Sequence, residues 1–438
     1  MNTKKIMKKV YISLSADTLH HGHMKLFEEA RKHGDIIIGL LTDKAIAEFK
    51  NIPYLKFEQR KKILLNIKGV EKIVPQNEYD ESVNIRKYKP DYVIHGDDWK
   101  IGYDKVIRNR VINILESYGG KLIELPYTKN ISSTIINKYQ NLNLITPDLR
   151  RSSLRRLLET KNFLRFLETH NPISALIAEN LEVNKKGKKI SFDGFWSSSL
   201  TDSTSMGKPD NEYVDNSLRL TSINHIFDVT SKPLIFDADT GGKIEHFDMK
   251  IKTIERTGIS AIIMEDKTGL KKNSLLENTK NQKQEDISVF AKKIAIGKKA
   301  QVSRDFMIIA RIESFILGKK LNDAMKRAEA YLEAGADGIM IHSKDKSPKE
   351  VFNFARVFKK KFKDIPLICV PSTYNSVREI ELIKKGFNIV IYANHMLRGA
   401  YPAMLNVAKK ILENGRAKEV ENNLQSIKEI LNLIPGTN

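Results

Sequence analysis

Short apolar runs alternate with longer amphipathic stretches over the first third of the chain. The apolar runs, which predict buried strands, are residues 10–14, 35–41, 72–75, 91–94 and 121–125. Helix-period patterns lie between them, at residues 24–30, 57–67 and 103–116. Strands that alternate with crossover helices predict an open parallel sheet with helices on both faces, a Rossmann-like α/β domain. In such a sheet, ligands bind at the carboxyl ends of the strands.

A second set of apolar runs follows a polar, unperiodic stretch at residues 138–147. Its eight runs are residues 166–167, 192–196, 233–236, 259–264, 306–309, 338–341, 367–370 and 389–392. Helical stretches separate most of them, so the pattern predicts a (β/α)8 barrel, a TIM-like fold with its chemistry at the strand C-termini. We therefore predict a first domain of residues 1–140, a linker of residues 141–149 and a barrel domain of residues 150–438.

The 438-residue chain carries 74 Lys and Arg against 53 Asp and Glu, a formal net charge of +21. Clustered positive charge is typical of nucleic-acid binding, but here the lysines are spread along the chain. The densest basic stretch, residues 150–156, has helical apolar spacing, so a helix with one solvated basic face explains it. We expect no nucleic-acid partner, and a positive potential that favours small phosphate anions.

No apolar run reaches the roughly 18 residues that a membrane span needs. The basic first nine residues precede no long apolar segment, so we expect neither a leader nor a membrane association. The single cysteine, Cys369, lies in an apolar run, which favours a buried structural thiol and a reducing compartment. These features predict a cytoplasmic protein.

His20, Gly22 and His23 follow the first predicted strand at the start of a helical pattern. Glycine lets the backbone approach a triphosphate, the helix N-terminus supplies amide donors, and imidazoles stabilise charge that develops at a phosphorus atom. Two histidines at a helix start can also simply cap the helix or pack against it. The pattern alone leaves both interpretations open.

Further motifs give this region a resemblance to a known family. His20-x-Gly22-His23 resembles the HxGH signature of the cytidylyltransferases, Gly96-Asp97-Asp98-Trp99 resembles a segment of the glycerol-3-phosphate cytidylyltransferases, and residues 125–134 resemble that family's second signature. The resemblance spans residues 8–137 and implies that CTP is a substrate, with His20 and His23 as catalytic groups. The nucleotide-binding residues that it implies are Asp17, Gly22, Lys50, Arg60, Asp97, Trp99, Ser132, Ser133 and Thr134.

This sequence departs from the family pattern at Ala16, Tyr127, Lys129 and Asn130. Tyr127 stands where the family has arginine, so a fixed positive charge is lost and the activity of this domain is open to question. Lys50 and Arg60 could supply compensating charge to the triphosphate, or both could be solvated charges on a helix face.

Polar side chains also follow the strands of the predicted barrel. They are Trp196, Ser198, Asp237, Asp239, Glu265, Arg311, Glu313 and His342. Asp237, Asp239 and Glu265 come from two neighbouring strand ends, and oxygen ligands of this kind suit Mg²⁺, although an exposed acidic rim is the alternative. Arg311 can clamp a carboxylate or phosphoryl group, and His342 can hydrogen-bond to phosphoryl oxygens. The barrel is therefore predicted to hold a metal-assisted anion site.

Glu265-Asp266-Lys267 is followed, after five residues, by Asn273-Ser274. This spacing resembles the signature of phosphoenolpyruvate mutase, in the isocitrate lyase superfamily, and the resemblance covers residues 150–410. It implies conversion of phosphoenolpyruvate to phosphonopyruvate. The roles that it implies are substrate positioning by Trp196, Ser198 and Glu313, contact with the transferring phosphorus by Asp210, lid closure by Lys271, Asn273 and Ser274, charge stabilisation by Arg311 and His342, and Mg²⁺ binding by Asp237, Asp239 and Glu265.

Residues 265–285 contain no cysteine, which argues against the carbon–carbon lyases of that superfamily. Phosphonopyruvate hydrolase stays an alternative, although Lys271 with Asn273-Ser274 favours the mutase. A scaffold built from decayed domains is a further alternative. The order of the two domains is similar to that of bifunctional enzymes of fosfomycin-type phosphonate biosynthesis, which implies a small acceptor such as 2-hydroxyethylphosphonate or 2-aminoethylphosphonate. Family resemblance also implies a homodimer or homotetramer.

Overall fold

The computed structural model describes residues 8–48, 52–100, 104–126, 145–185, 188–269, 271–274 and 282–434. The chain divides into two compact units, the first chiefly up to residue 143 and the second chiefly from residue 144 onward. Among the described residues, no helix is both long and apolar enough to cross a membrane.

The first unit is built around a five-stranded parallel sheet in the order β3-β2-β1-β4-β5. Its strands are β1 Lys9–Leu14, β2 Asp35–Leu41, β3 Val70–Gln76, β4 Tyr92–Gly96 and β5 Lys121–Leu125. Its helices are α1 His21–His33, α2 Asp43–Ala47, α3 Phe57–Leu64, α4 Ser82–Tyr88 and α5 Asp104–Glu116, with a 3₁₀ turn at Asp97–Lys100. Strand β2 is buried from its second residue onward, because helices cover both faces of a parallel sheet.

The second unit is a closed parallel barrel in the order β6-β9-β10-β11-β14-β15-β16-β17. The strands of the barrel are β6 Leu164–Glu168, β9 Gly194–Ser197, β10 Leu234–Asp237, β11 Ala261–Glu265, β14 Met307–Ile312, β15 Gly338–Ile341, β16 Leu367–Cys369 and β17 Ile389–Tyr392. Two short pairs, β7 Glu182–Lys185 with β8 Lys188–Ser191 and β12 Lys267–Thr268 with β13 Lys283–Gln284, lie outside it. The prediction of a Rossmann-like sheet and a (β/α)8 barrel is confirmed.

The helices of this unit are α6 Pro147–Thr160, α7 Pro172–Asn180, α8 Ser199–Ser205, α9 Asn216–Val229, α10 Phe247–Arg256, α11 Ile287–Ala300, α12 Leu321–Glu333, α13 Lys349–Lys361, α14 Glu379–Lys384, α15 His395–Asn414, α16 Lys418–Glu421 and α17 Ile427–Leu433, with a 3₁₀ turn at Ile244–His246. Isoleucine, phenylalanine and alanine side chains from the strands and the inner helix faces form one large buried core. Cys369 is fully buried within that core, where burial raises the pKa of its thiol, so it packs as a small apolar residue.

The hydrophobic pattern missed the short strand pairs and the full length of one barrel strand. The β7–β8 pair was not predicted because every residue of β7 is exposed and the strand has no apolar run. Strand β14 extends three residues beyond its predicted end because it carries the buried Arg311, which interrupts the apolar pattern without ending the strand.

The predicted solvated basic face of helix α6 is wrong for two of its arginines. Arg150 is buried, and its guanidinium donates to the backbone oxygens of Lys232, Phe227 and Thr230 around the end of α9. Arg151 is also buried and donates twice to Glu255 O, in the last turn of α10, at 3.0 and 2.7 Å. Both guanidinium groups therefore bind backbone carbonyls at or just beyond the C-terminal end of a helix, where a positive charge is favourable.

Helix α15 differs from the other long helices because none of its residues is buried. Apolar side chains recur along it at helical spacing, at Tyr401, Met404, Leu405, Ile411 and Leu412, and all are exposed. An apolar stripe of this kind normally packs against something.

Candidate active sites

The carboxyl ends of the barrel strands bring charged side chains together in a buried layer. Asp237 ends β10, Glu265 ends β11, and Arg311 lies near the end of β14. All three are at most 9% exposed. Asp239 follows β10 with a positive φ of 55°, and its N–H donates to Asp237 Oδ1 at 3.2 Å. Non-glycine residues with a positive φ are uncommon. At Asp239 this backbone conformation holds its carboxylate close to that of Asp237.

Lys271 is the cation that links this layer to the loops above it. Its Nζ donates to Asp210 Oδ1 at 2.9 Å and also to Asp239 Oδ1 and to Ser199 Oγ. Asn273 Nδ2 donates to the other Asp210 oxygen at 2.8 Å. Asp210, the residue predicted to meet the transferring phosphorus, is thereby fixed at both oxygens by two predicted lid residues.

A second set of contacts centres on Arg311. Its Nε donates to Glu313 Oε1 at 2.6 Å and its Nη2 donates to Ser274 Oγ at 2.9 Å. Nδ1 of His342 lies 3.0 Å from both Arg311 Nη2 and Glu313 Oε1. The Ser274 hydroxyl donates to Glu313 Oε2 at 2.6 Å and accepts from Lys267 Nζ at 2.9 Å. Among the described residues nothing bonds to His342 Nε2, so that nitrogen is open to a ligand.

Burial and charge pairing set the protonation of these groups in opposite directions. Burial alone would raise the pKa of Asp237, but the charges of Lys271 and Arg311 outweigh burial, so the pKa lies below its ordinary value. Burial raises the pKa of Asp239 despite Lys271, and it raises that of Glu265 to about 7 despite Arg311. Burial, with Arg311, lowers the pKa of His342. A cation that binds beside Asp239 or Glu265 would favour the carboxylate form of each.

Glu265 supplies the observation that tests the predicted Mg²⁺ site. Lys267 Nζ and Arg311 Nη2 lie 3.2 and 3.3 Å from its two oxygens, yet no described residue forms a hydrogen bond with either oxygen. No three acidic, histidine or cysteine side chains of the described residues form a ready-made metal cage, and Lys271 pairs with Asp239. Mg²⁺ needs only one or two direct carboxylates because it keeps several waters, so the oxygen donors fit it.

Two predicted substrate-binding residues lie at this layer without touching its charges. Trp196 is buried in β9, and no described residue accepts a hydrogen bond from its Nε1. Ser198 is the N-cap residue of helix α8 without a side-chain capping hydrogen bond, whereas its neighbour Ser199 donates to Asp237 Oδ2 at 3.0 Å and accepts from Lys271. The serine that contacts the charged layer is therefore Ser199, which the sequence did not single out.

Sequence reasoning also missed the cations beneath and beside the layer. Arg219, in α9, stacks 4.0 Å from the Phe236 ring centre and donates to Asp202 and to the backbone oxygen of Asp237. Lys267 lies inside the quoted signature, so that signature could have indicated it. Arg219 carries no such local signal, since it contacts Asp237 only through the fold.

In the first unit, the two histidines form the cap of helix α1. His20 Nδ1 accepts from Gly22 N at 3.2 Å, and His23 Nδ1 accepts from the His20 N–H at 3.3 Å. A neutral imidazole whose Nδ1 accepts must carry its proton on Nε2. The capping and catalytic interpretations are therefore compatible, because capping directs an Nε2–H donor of each ring away from the backbone.

The other predicted nucleotide-binding residues have mixed environments. Arg60 is fully buried and binds Ser15 O, Leu55 O and Asp43, so the alternative of a solvated helix-face charge is wrong. Asp17 accepts from Leu55 N at 3.0 Å, which ties it to the same loop. Asp97 begins the 3₁₀ turn that contains Trp99.

Trp99 is buried rather than open to a nucleotide base. Its ring stacks on His95 at 3.8 Å, and its Nε1 donates to Glu124 at 2.8 Å. Lys50, Ser132, Ser133 and Thr134, together with the departures Tyr127, Lys129 and Asn130, lie outside the described residues.

A Rossmann-like sheet with a His-Gly-His helix start, followed by a barrel with buried acids and cations at its strand ends, defines a two-domain enzyme. Residues 154–412 match the model of the phosphoenolpyruvate phosphomutase family, and residues 15–138 match the cytidylyltransferase-like model. The chain belongs to the phosphoenolpyruvate phosphomutase family and carries a cytidylyltransferase-like domain before its barrel.

Curated relatives divide between the two halves of the chain. A phosphoenolpyruvate phosphomutase of Tetrahymena pyriformis is 34% identical over 65% of this chain and 91% of its own length. A phosphonopyruvate hydrolase of Variovorax sp. (strain Pal2) is 35% identical over 65% of this chain and 94% of its own. A glycerol-3-phosphate cytidylyltransferase of Bacillus spizizenii is 36% identical over 30% of this chain and 96% of its own.

Solved structures similar to this chain match its barrel. A phosphoenolpyruvate phosphomutase from Streptomyces platensis subsp. rosaceus has a TM-score of 0.59 at 34% identity, covering 64% of this chain and 93% of that one. A phosphonopyruvate hydrolase in complex with oxalate and Mg²⁺ has a TM-score of 0.57 at 35% identity, covering 65% and 94%. That relatives of this barrel bind Mg²⁺ supports the use of a divalent metal in the family.

The Glu124 ion pair makes the stability of the first unit depend on pH. Arg108 donates to both Glu124 oxygens, at 2.7 and 2.9 Å, and this hydrogen bonding lowers the pKa of Glu124 to about 2. A lowered folded-state pKa adds stability above the ordinary value, and that contribution is lost as the pH falls toward 2. We expect Glu124→Gln to reduce stability at pH 7, and the difference from the parent to shrink between pH 5 and pH 2.

Urea unfolding followed by Trp99 fluorescence measures this in a Trp196→Phe background, which removes the other tryptophan. Glu116→Gln, at the exposed end of α5, is the matched control and should leave the pH profile unchanged. If the difference in stability between Glu124→Gln and the parent stayed constant from pH 5 to pH 2, the lowered pKa of Glu124 would be contradicted.

Proposed function

We propose that the barrel interconverts phosphoenolpyruvate and 3-phosphonopyruvate. The observation that supports this most directly is the fixation of Asp210 by Lys271 and Asn273. This contact joins the residue predicted to meet phosphorus with two lid residues and, through Lys271, with Asp239. A phosphoryl group placed among them would meet donors and cations on several sides.

In the proposed reaction the bond between phosphorus and the enol oxygen breaks, and that oxygen keeps the electron pair as an enolate. The methylene carbon of the enolate then forms the new bond to phosphorus. A loose transition state of this kind needs positioning and charge stabilisation more than covalent help. Lys271 and Arg311 would stabilise the oxygens, His342 Nε2 would donate to one of them, and Asp210 would hold the phosphoryl group on the path between the two atoms.

Asp237, Asp239 and Glu265 would hold Mg²⁺, which would neutralise negative charge on the oxygens of the substrate. The protein itself must keep water away while the phosphoryl group is between its two bonds, since water would capture it. Lys271 and Ser274, from the lid segment, are 6% and 4% exposed. Burial of these two side chains favours isomerisation over hydrolysis, whereas the nearly equal identities to the mutase and hydrolase relatives favour neither.

Asp210→Asn tests the barrel reaction. We expect the rate of phosphoenolpyruvate formation from phosphonopyruvate and Mg²⁺ to fall by about 100-fold or more, because an amide cannot accept from Lys271 and Asn273 as a carboxylate does. Phosphorus NMR measures the product directly. Asp215→Asn, five residues further on, is the control, because Asp215 only caps helix α9 and asparagine caps equally well. Release of inorganic phosphate by the parent protein would identify a hydrolase instead.

We further propose that the first unit transfers CMP from CTP to a phosphonate such as 2-hydroxyethylphosphonate. A phosphonate oxygen would attack the α-phosphorus of CTP, and pyrophosphate would leave with the electron pair of the broken bond. The Nε2–H donors of His20 and His23 would stabilise the charge that develops there. This function rests on the capping geometry of the two rings and on the cytidylyltransferase-like match. A chain with an active mutase and an inactive nucleotide-binding unit is the alternative that the experiment below distinguishes.

His23→Ala tests the nucleotidyl transfer. We expect pyrophosphate release from CTP, Mg²⁺ and 2-hydroxyethylphosphonate to fall by about 100-fold or more, while the barrel reaction keeps its rate. The neighbouring His21→Ala is the control, since His21 is exposed and takes no part in the cap. If the parent protein released no pyrophosphate with this acceptor or with 2-aminoethylphosphonate, the proposed transfer would be wrong.

We propose that the protein is a cytoplasmic homodimer or homotetramer in which α15 of one chain packs against a second copy. The exposed apolar stripe of α15 supports the assembly, and a single buried cysteine is typical of a reducing compartment. Light scattering should give a mass of two or four times 50.1 kDa. Leu405→Lys with Leu412→Lys should shift it toward one chain, whereas Val302→Lys, at an isolated exposed site, should not. A parent protein that is monomeric at micromolar concentration would contradict this proposal.

A further inference from the structure

A cleft in the barrel unit lies between the start of α9 and the loop that connects β10 to α10. Its volume is about 350 Å³, which is within the usual range for small-molecule pockets. One wall is Asn216 and Ser217, and the facing wall is Gly241, Gly242 and Lys243. None of the groups that we assign to catalysis or to Mg²⁺ lines it.

The charge of this cleft has one sign. Lys243, His246 and Lys250 line it, and none of its described lining residues is acidic. Lys243 and His246 are exposed at its rim, whereas Lys250 is partly buried. No described residue forms a hydrogen bond or ion pair with the Lys250 ammonium. Burial lowers the pKa of Lys250 to about 8, against the raising effects of Asp239 and Glu212.

The remaining lining adds short hydroxyl and amide groups and an apolar floor. Ser217 and Thr253 offer hydroxyls, while Leu220, Met249 and Ile254 offer apolar surface. Leu220 and Ile254 are at most 7% exposed and belong to the barrel core. A purely inorganic anion would leave this floor unused, whereas an anion with a short alkyl group would cover it.

We propose that this cleft is a second binding site, distinct from the catalytic layer, for a small organic phosphonate or phosphate monoester. Its dianionic head group lies among Lys243, His246 and Lys250, and its alkyl part lies on Leu220 and on Met249, which is 62% exposed. This inference goes beyond the proposed function, because binding here requires neither catalysis nor the presence of CTP.

The position of the cleft connects it to the catalytic loops. Thr240 donates to Glu212 Oε1 from its N–H at 2.9 Å and from its hydroxyl at 2.7 Å. Glu212 lies two residues after Asp210, and Thr240 directly follows Asp239 and precedes the cleft wall. A ligand in the cleft therefore contacts Gly241 and Gly242 in the loop that carries Asp239, and Thr240 of that loop is hydrogen-bonded to the loop that carries Asp210.

The test is calorimetric titration of the full chain with n-propylphosphonate, compared with inorganic phosphate. We expect saturable binding that is tighter for n-propylphosphonate, and that weakens by at least about tenfold in Lys250→Met, since this variant loses a charge-assisted hydrogen bond to the anion. Lys243→Met, at an exposed position, should weaken binding without endangering the fold. Lys252→Met, an exposed lysine on the same helix, should not change it.

Lys271→Met separates this site from the catalytic one. Binding that survives Lys271→Met and is lost in both Lys250→Met and Lys243→Met supports the proposal. Binding that is lost in Lys271→Met but kept in Lys250→Met, binding that survives all of these variants, or no binding by the parent protein would overturn it. Equal affinity for inorganic phosphate would overturn the assignment of an alkyl-bearing ligand. None of these outcomes depends on whether the barrel proves to be a mutase.

Discussion

The barrel depends on one electrostatic constraint, which is that every charge buried at its strand ends must find an opposite charge. Carboxylates removed from water are costly unless they are paired, and here Arg219, Lys271 and Arg311 do most of that pairing. The same cations can stabilise an anionic substrate. The stability of the layer and its proposed chemistry therefore rest on the same contacts. At Glu265 the charge is paired, but among the described residues neither oxygen receives a hydrogen bond.

The sequence was sufficient to place the strands and the residues at their ends, because parallel strands are continuous apolar runs and polar residues directly follow them. It was not sufficient to assign contacts made across the barrel. Arg219 is 18 residues from Asp237 along the chain and reaches it only when α9 packs on the strands. The burial of Arg60 and Arg150 could not be predicted from the sequence either. A basic residue on a helix gives the same sequence pattern whether it is hydrogen-bonded to water or to a distant carbonyl.

The two halves of the protein offer different surroundings to a phosphorus-containing substrate. The sheet unit offers a helix start at which ring nitrogens and backbone amides face one side, a surface that suits an extended triphosphate. The barrel offers a buried layer of charged side chains from separate strands, which would suit a small substrate that must be kept from water. Joined in one chain, the two would serve the making of a carbon–phosphorus bond and the later activation of a phosphonate, with other enzymes acting between them.

The arginines of α6 have a consequence for the biogenesis of the barrel. Arg150 binds carbonyls 77 to 82 residues further along, and Arg151 binds one that is 104 residues further along. At roughly 5–20 residues per second, a ribosome needs about 5–20 s to make that stretch. During this time the first helix of the barrel has emerged without its partners, while the sheet unit before it is already complete. The nascent chain therefore passes through a state in which one half can be folded and the other must wait.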